Sequence, residues 1–291
     1  MIRQAARFSD WHLHTHLSDG FASPAETLAE AARLGLRQVS ITDHDCLDAH
    51  RDARLRRQAR QAGLELISGV EIDCTLGTLH LEILGYGFDP EDERLIERLE
   101  RVQIARRERI RVLADRFRAA GEALDPAAIY PPETVAPLKV HLFRALENAG
   151  RVYADGYREF KAHIASLGPV PPLPIPTAAE AVERIHAAGG CALIAHPLYY
   201  LRTMTAEELL KAARAAGCEG IEFGYPYDYG DQGVPADQVR SGLARLKAAL
   251  PVSFPAGARL TLGSDVHDPA EWRGRLECAE GWERAIGEAR R

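Results

Sequence analysis

The chain of 291 residues predicts an α/β fold interrupted by a helical insert. Three observations carry that reading. Short apolar runs alternate with capped, helix-like segments from residue 8 onward, and again from about residue 175. Most of the apolar runs carry or end in His, Asp or Glu, and strand ends are where parallel α/β folds place their chemistry. Between 89 and 174 the alternation gives way to long helical patterns and a proline-rich stretch. Hydrophobic residues make up 46 %, enough for a sizeable core.

The first strand carries Asp10-Trp11-His12-Leu13-His14. His12 and His14 are two apart, so a strand turns both imidazoles to one face. Asp19 follows a turn that Gly20 permits. A helix then starts with Ser23 as cap, Pro24 in its first turn and Glu26 closing a capping box, and Gly35 stops it. A buried strand over 38–42 ends in Asp43-His44-Asp45. The Ala- and Arg-rich stretch 49–62 reads as one helix with a solvated basic face, ended by Gly63. Residues 64–72 read as the next strand, and an acid inside it, Glu71, is costly to bury unless it is paired or bound to metal. In the strand over 79–86, His80 and Glu82 share one face.

The insert over 89–174 opens with a charged amphipathic helix over about 91–120. Helical segments follow around His141 and around Tyr157, and prolines from Pro169 to Pro176 read as an extended return. The main domain thus comprises 8–88 and 175–291. Its second part repeats the capping box twice, at Thr177/Glu180 and Thr205/Glu208. A buried strand over 191–195 ends in His196-Pro197, one over 219–223 carries Glu222, and, after a helix over about 235–250, one over 259–262 leads into Gly263-Ser264-Asp265-Val266-His267.

In a barrel of parallel strands these ends share one rim. His12, His14, Asp19, His44, Glu71, His196, Asp265 and His267 then converge, with His80 or Glu82 within reach. The set is too large for one ion and contains no thiolate. Two or three divalent cations such as manganese, iron or zinc fit it, and multinuclear sites suit phosphate ester hydrolysis. A net charge of −6 argues against general attraction to duplex nucleic acid or membrane. Five scattered cysteines fit a reducing compartment, and no apolar run reaches transmembrane length, so a cytoplasmic protein is expected.

The motifs Asp-Trp-His-Leu-His-Thr at 10–15, Ile-Thr-Asp-His-Asp at 41–45, Gly-Val-Glu-Ile at 69–72, Ile-Leu-Gly-Tyr at 83–86, Ala-His-Pro at 195–197 and Gly-Ser-Asp-Val-His at 263–267 resemble, in order, those of the polymerase and histidinol phosphatase (PHP) family of metal-dependent phosphoesterases. The resemblance is closest to the branch acting on nucleotides and short oligonucleotides. It implies a distorted, TIM-like (β/α)7 barrel with a trinuclear centre. It assigns His12, His14 and Asp265 to one metal, Glu71 as a bridge, His196 to a second, and Asp19, His44 and His267 to a third. Glu82 stands where the family has a histidine, so either Glu82 or His80 is the ligand there. Tyr225-Pro226-Tyr227-Asp228 stands where relatives often carry another histidine.

Within the insert, Lys139-Val140-His141-Leu142-Phe143-Arg144 resembles a segment that supplies phosphate-binding groups in that branch, with lysine replacing an arginine. Lys139, His141 and Arg144 are the expected contacts to an anionic substrate. The expected reaction is attack of a metal-activated hydroxide on a nucleotide phosphate ester, with His141 or Asp43 protonating the leaving oxygen. The alternatives are histidinol-phosphate hydrolysis and a metal-binding module whose catalysis has decayed.

Overall fold

A computed structural model describes residues 9–227, 229 and 234–279. Residue 8, Asp228 of the tyrosine-rich loop and residues 280–291 lie outside it. The strands form two sheets. Strands β1 (Ser9–Leu13), β2 (Gln38–Ile41) and β3 (Glu65–Leu66) make a parallel sheet in that order. Strands β4 (Gly69–Leu76), β5 (Leu79–Tyr86), β6 (Cys191–Ile194), β7 (Gly220–Gly224) and β8 (Arg259–Leu262) make the second. Two isolated parallel bridges join the sheets: Leu13 with Val266, and His44 with Glu71. The end of β1 therefore meets the chain beyond β8 at one seam, and the chain beyond β2 meets β4 at the other.

Two expectations about the strands are corrected. The stretch 64–72 is not one strand: β3 stops at Leu66 and β4 starts at Gly69 in the other sheet. Crowding against β2 explains the glycine there. A Cβ on Gly69 would lie 2.0 Å from Ser40 Oγ. Nor are all strands parallel. β4 and β5 form a hairpin across Gly77, whose φ of +62° suits glycine, and β5 also runs antiparallel to β6.

All three expected capping boxes form, on α1 (Pro24–Arg33), α7 (Ala178–Ala187) and α8 (Ala206–Ala215). The basic helix after β2 is instead two helices, α2 (Asp48–Arg51) and α3 (Ala53–Gln61). Asp52 sits between them in extended conformation, and its carboxylate caps the Arg54 amide. Aspartate competes with the helix ladder in this way because its side chain offers the backbone an alternative partner.

In the insert, α4 (Glu93–Ala119), α5 (Lys139–Asn148) and α6 (Gly156–Ser166) bury their own cluster, including Phe117, Leu142, Leu146 and Phe160. The first turns of α4 give Leu95 and Leu99 to the main core instead. Arg109 and Arg116 of α4 hold the proline-rich return through the Pro171 and Gly168 carbonyls. No helix among the described residues is long and apolar enough to cross a membrane. Helices α9 (Ala236–Ser253) and α10 (Trp272–Ala279) complete the chain.

Candidate metal centre

Three overlapping groups of ligand atoms lie at the seams, each with its members within 4.8 Å of one another: His12/His14/Asp265, His14/Asp19/His44/His267 and His44/Glu71/Glu82. Strand alternation places the first pair. His12 and His14 point the same way from β1 and its end, with their Nε2 atoms 3.2 Å apart. Asp265 Oδ1 lies 3.3 Å from His12 Nε2 and 3.0 Å from His14 Nε2. Glu71 Oε2 lies 3.2–3.3 Å from His12, His14 and His44, while its Oε1 is 3.1 Å from His196 Nε2. Glu82 reaches the same His196 nitrogen at 3.2 Å. Asp19 lies 3.3 Å from His267 and 3.9 Å from His44.

This donor set suits cations. Imidazole nitrogens and carboxylate oxygens converge with nothing but one another between them, and His44 Nδ1 is buried without a hydrogen bond. Burial disfavours charged His14, yet the carboxylates of Asp265 and Glu71 outweigh it and push its pKa up to about 10. Burial likewise opposes charge on His12 and His196, and the surrounding carboxylates raise both. Glu71 and Asp19 are held well below the carboxylate range by the imidazoles around them, against burial. A divalent cation bound there would displace such protons.

The ligands are held from behind. Glu222 on β7 is fully buried; it accepts from His12 Nδ1 at 2.9 Å and from the His196 amide at 2.8 Å. That leaves His12 Nε2 facing the cluster, the arrangement that fixes a metal ligand's tautomer. Tyr200 lies 3.3 Å from both Glu82 and His196 Nδ1, and Tyr225 donates to Asp265 Oδ2 at 2.6 Å. Asp10 accepts from the Trp272 indole and the Ser264 amide, tying β1 to the chain beyond β8. Asp45, His196 and Asp265 have positive φ values of 47°, 25° and 50°. Left-handed backbone at non-glycine residues costs energy and gathers where function demands it.

The PHP domain model matches residues 10–119, the span from β1 to the end of α4. A 5'-3' exoribonuclease of Haemophilus influenzae is 32 % identical over 270 residues, covering 90 % of this chain and 91 % of the relative. The chain belongs to the PHP family. A second PHP relative, a 3',5'-nucleoside bisphosphate phosphatase of Chromobacterium violaceum, is 32 % identical over 222 residues, or 73 % of this chain and 75 % of that one. An amidohydrolase structure from Chromobacterium violaceum with bound sulfate superposes with a TM-score of 0.71 at 26 % identity, covering 93 % and 96 % of the two chains.

In this PHP chain nine of the ten ligands read from sequence come together. His80, the tenth, is exposed near the hairpin tip and belongs to none of the groups. Asp43 is buried with both oxygens engaged, by the Thr15 amide and Ser18 hydroxyl on one side and the Thr15 hydroxyl on the other. Burial raises its pKa while these bonds lower it. The insert segment divides. Lys139 faces the cleft beside the centre, whereas His141 and Arg144 line a separate hollow next to Phe21. Leu138 donates its amide to His141 Nδ1 at 3.0 Å, and Arg144 donates to the Asp19 carbonyl at 2.8 Å. Glu222 and Arg106 are absent from the sequence-derived set. The same signal that marks Glu71, an acid inside an apolar strand, marks Glu222.

Proposed function

We propose that this chain is a metal-dependent phosphoric ester hydrolase acting on nucleotides or short oligonucleotides. The observation that carries the reading is the convergence of imidazoles and carboxylates in three overlapping groups at one end of a cleft that Arg106, Arg109 and Lys139 also line. The names of the relatives point the same way and favour it over histidinol-phosphate hydrolysis. The bridges at both seams support a distorted barrel closed around the centre. Four unpaired cysteines, Cys46, Cys74, Cys191 and Cys218, support a reducing, cytoplasmic setting.

Two or three divalent ions, manganese, iron or zinc, are the proposed cofactors. His12, His14 and Asp265 would hold one, Glu71, Glu82 and His196 another, and Asp19, His44 and His267 a third, with Glu71 shared. Such ions acidify water and neutralise charge growing on phosphate oxygens. The chain's own residues do the rest. Glu222 and Tyr225 orient His12 and Asp265 from behind. Asp43 holds the turn at 15–18 through Thr15 and Ser18, which fixes the approach to His14. Lys139 supplies positive charge on the cleft wall. His141 is the proposed proton source. Burial lowers its pKa, so it is neutral near pH 7 and must take up a proton before it can give one; the Leu138 carbonyl, 3.2 Å from Nδ1, is the acceptor that would hold the ring in its charged form.

The test is phosphate or mononucleotide release from nucleotides, bisphosphates and short RNA by manganese-loaded protein. Turnover abolished by chelation and restored by metal is expected. No turnover on any of these, with two or more metal equivalents bound, overturns the proposal.

A further inference from the structure

The three groups at the centre differ in what they offer a cation. His14, His44 and His267 gather round one carboxylate, that of Asp19. His12 and His14 likewise meet one, that of Asp265. Beside β5 the balance reverses. His196 Nε2 lies 3.1 Å from Glu71 Oε1 and 3.2 Å from Glu82 Oε2, so two carboxylates face that imidazole. His44, already a member of the Asp19 group, also groups with the two acids.

The β4–β5 hairpin brings the second carboxylate in. Its register sets Glu82 opposite Asp73, and Glu71 is two positions from Asp73, so the three acids share one face. Like charges side by side on a sheet repel. Asp73 has its counter-ion in Arg106, 2.6 Å away. Among the described residues, Glu82 has only the His196 imidazole as an ion-pair partner. The Tyr200 hydroxyl accepts from the Glu82 amide at 3.0 Å and lies 3.3 Å from both Glu82 Oε2 and His196 Nδ1, which ties the two side chains together. Glu82 also lines a cleft of about 900 Å3 between the centre and the insert. That opening leaves room for the waters that hard cations keep.

Carboxylates suit magnesium and manganese, whereas imidazoles suit zinc and iron. Zinc outcompetes manganese at sites of either kind, so the difference between two positions lies in the margin by which it does so. A carboxylate in place of an imidazole narrows that margin. We propose that Glu71, Glu82 and His196 form a position for a hard cation, manganese or magnesium, while the imidazole-rich position of His14, Asp19, His44 and His267 takes zinc or iron. The chain then carries two kinds of metal at once. The proposal rests on the metal-dependent reading above and adds which ion goes where. It turns on Glu82, which by the resemblance read from the sequence stands where the family has a histidine, so the acidic balance is this chain's own.

The experiment loads metal-free chain with manganese, desalts it and titrates in zinc. Released manganese is followed by the electron paramagnetic resonance signal of the aqueous ion, and bound metals by elemental analysis. Wild type should release manganese in two phases, the last equivalent leaving only at about tenfold higher zinc or more, the scale on which changes around a metal ligand act. Glu82→His should move that last phase down by about tenfold or more, because zinc then meets a second imidazole. Glu82→Gln, loaded with manganese alone, should lose about one equivalent on desalting. Release in a single phase, or a last phase that Glu82→His leaves in place, overturns the proposal. Neither outcome touches the proposed hydrolysis, which phosphate release by the same manganese-loaded chain decides. Fewer than two bound manganese ions before zinc is added overturns the multi-metal centre and this proposal with it.

Discussion

Glu222 governs two of the proposed ligands at once without belonging to any of the three groups. One oxygen takes the His12 Nδ1 proton and the other the His196 amide, so it fixes a ring tautomer and the backbone that carries a second ring. Glu222→Gln keeps the shape and one acceptor but loses the charge that holds the proton on Nδ1. Metal affinity, read by chelator competition, should fall about 10- to 100-fold. A variant that binds metal like wild type would show that Glu222 is merely packed. At this scale the sequence is informative for a physical reason. Buried acids and histidines at apolar strand ends need partners, so His12, His44, Glu71, His196 and Asp265 stand out, and Glu222 stands out by the same rule. The partners themselves are not legible. That Asp43 is spoken for by Thr15 and Ser18, and that Arg144 turns to the Asp19 carbonyl, depends on contacts 25 or more positions apart in the chain.

Among the elements, capping chemistry was legible because it is local, as at Ser23, Thr177 and Thr205. The split after Leu66 and the break at Asp52 were not. The first depends on Gly69 meeting Ser40 across sheets, the second on one side chain outbidding a helix propensity. His50 on α2 shows what holds that junction. Its Nε2 lies 2.6 Å from the Ile41 carbonyl and 3.0 Å from the Gly69 amide, so it fills the junction of β2 and β4 and bonds one of the two, the tautomer deciding which. Burial pushes its pKa down to about 4, below the ordinary 6.5. The unfolded chain therefore takes the proton first. Stability from this residue is fully present above pH 6.5 and is lost as pH falls from 6.5 toward 4. The loss approaches about 1.4 kcal/mol per pH unit within that window. Urea unfolding of wild type and His50→Asn at pH 7.5, 6 and 5 isolates the effect: the gap between them should narrow as pH falls. A gap independent of pH would mean that folding leaves the pKa of His50 where the unfolded chain has it.

The whole molecule is organised around a loop that carries two of the proposed ligands and is clamped between two bodies. Residues 14–22 leave β1 carrying His14 and Asp19, and the insert grips them from the far side. Val135 and Ala136 give their amides to the Leu17 carbonyl, Thr134 bonds the His16 carbonyl, and Arg144 bonds the Asp19 carbonyl while stacking 4.1 Å over Phe21. The resemblance of the segment around it, together with its charge, implies that Arg144 grips substrate; its contacts also suit a brace for Asp19 beside it. The two roles separate experimentally. If Arg144 braces the loop, Arg144→Met keeps the stacked aliphatic stem but releases Asp19, and the group Asp19 shares with His14, His44 and His267 should hold its ion more weakly. Elemental analysis after dialysis should then show the loss of about one metal equivalent, on the scale of other lost supports to ligands. Amides of residues 15–20 should exchange faster, because the loop's far side is freed. Turnover should recover with added manganese. If Arg144 instead touches substrate, metal content and exchange stay at wild-type values and only KM rises. The insert would then be a substrate lid alone, and the metal centre would be complete without it.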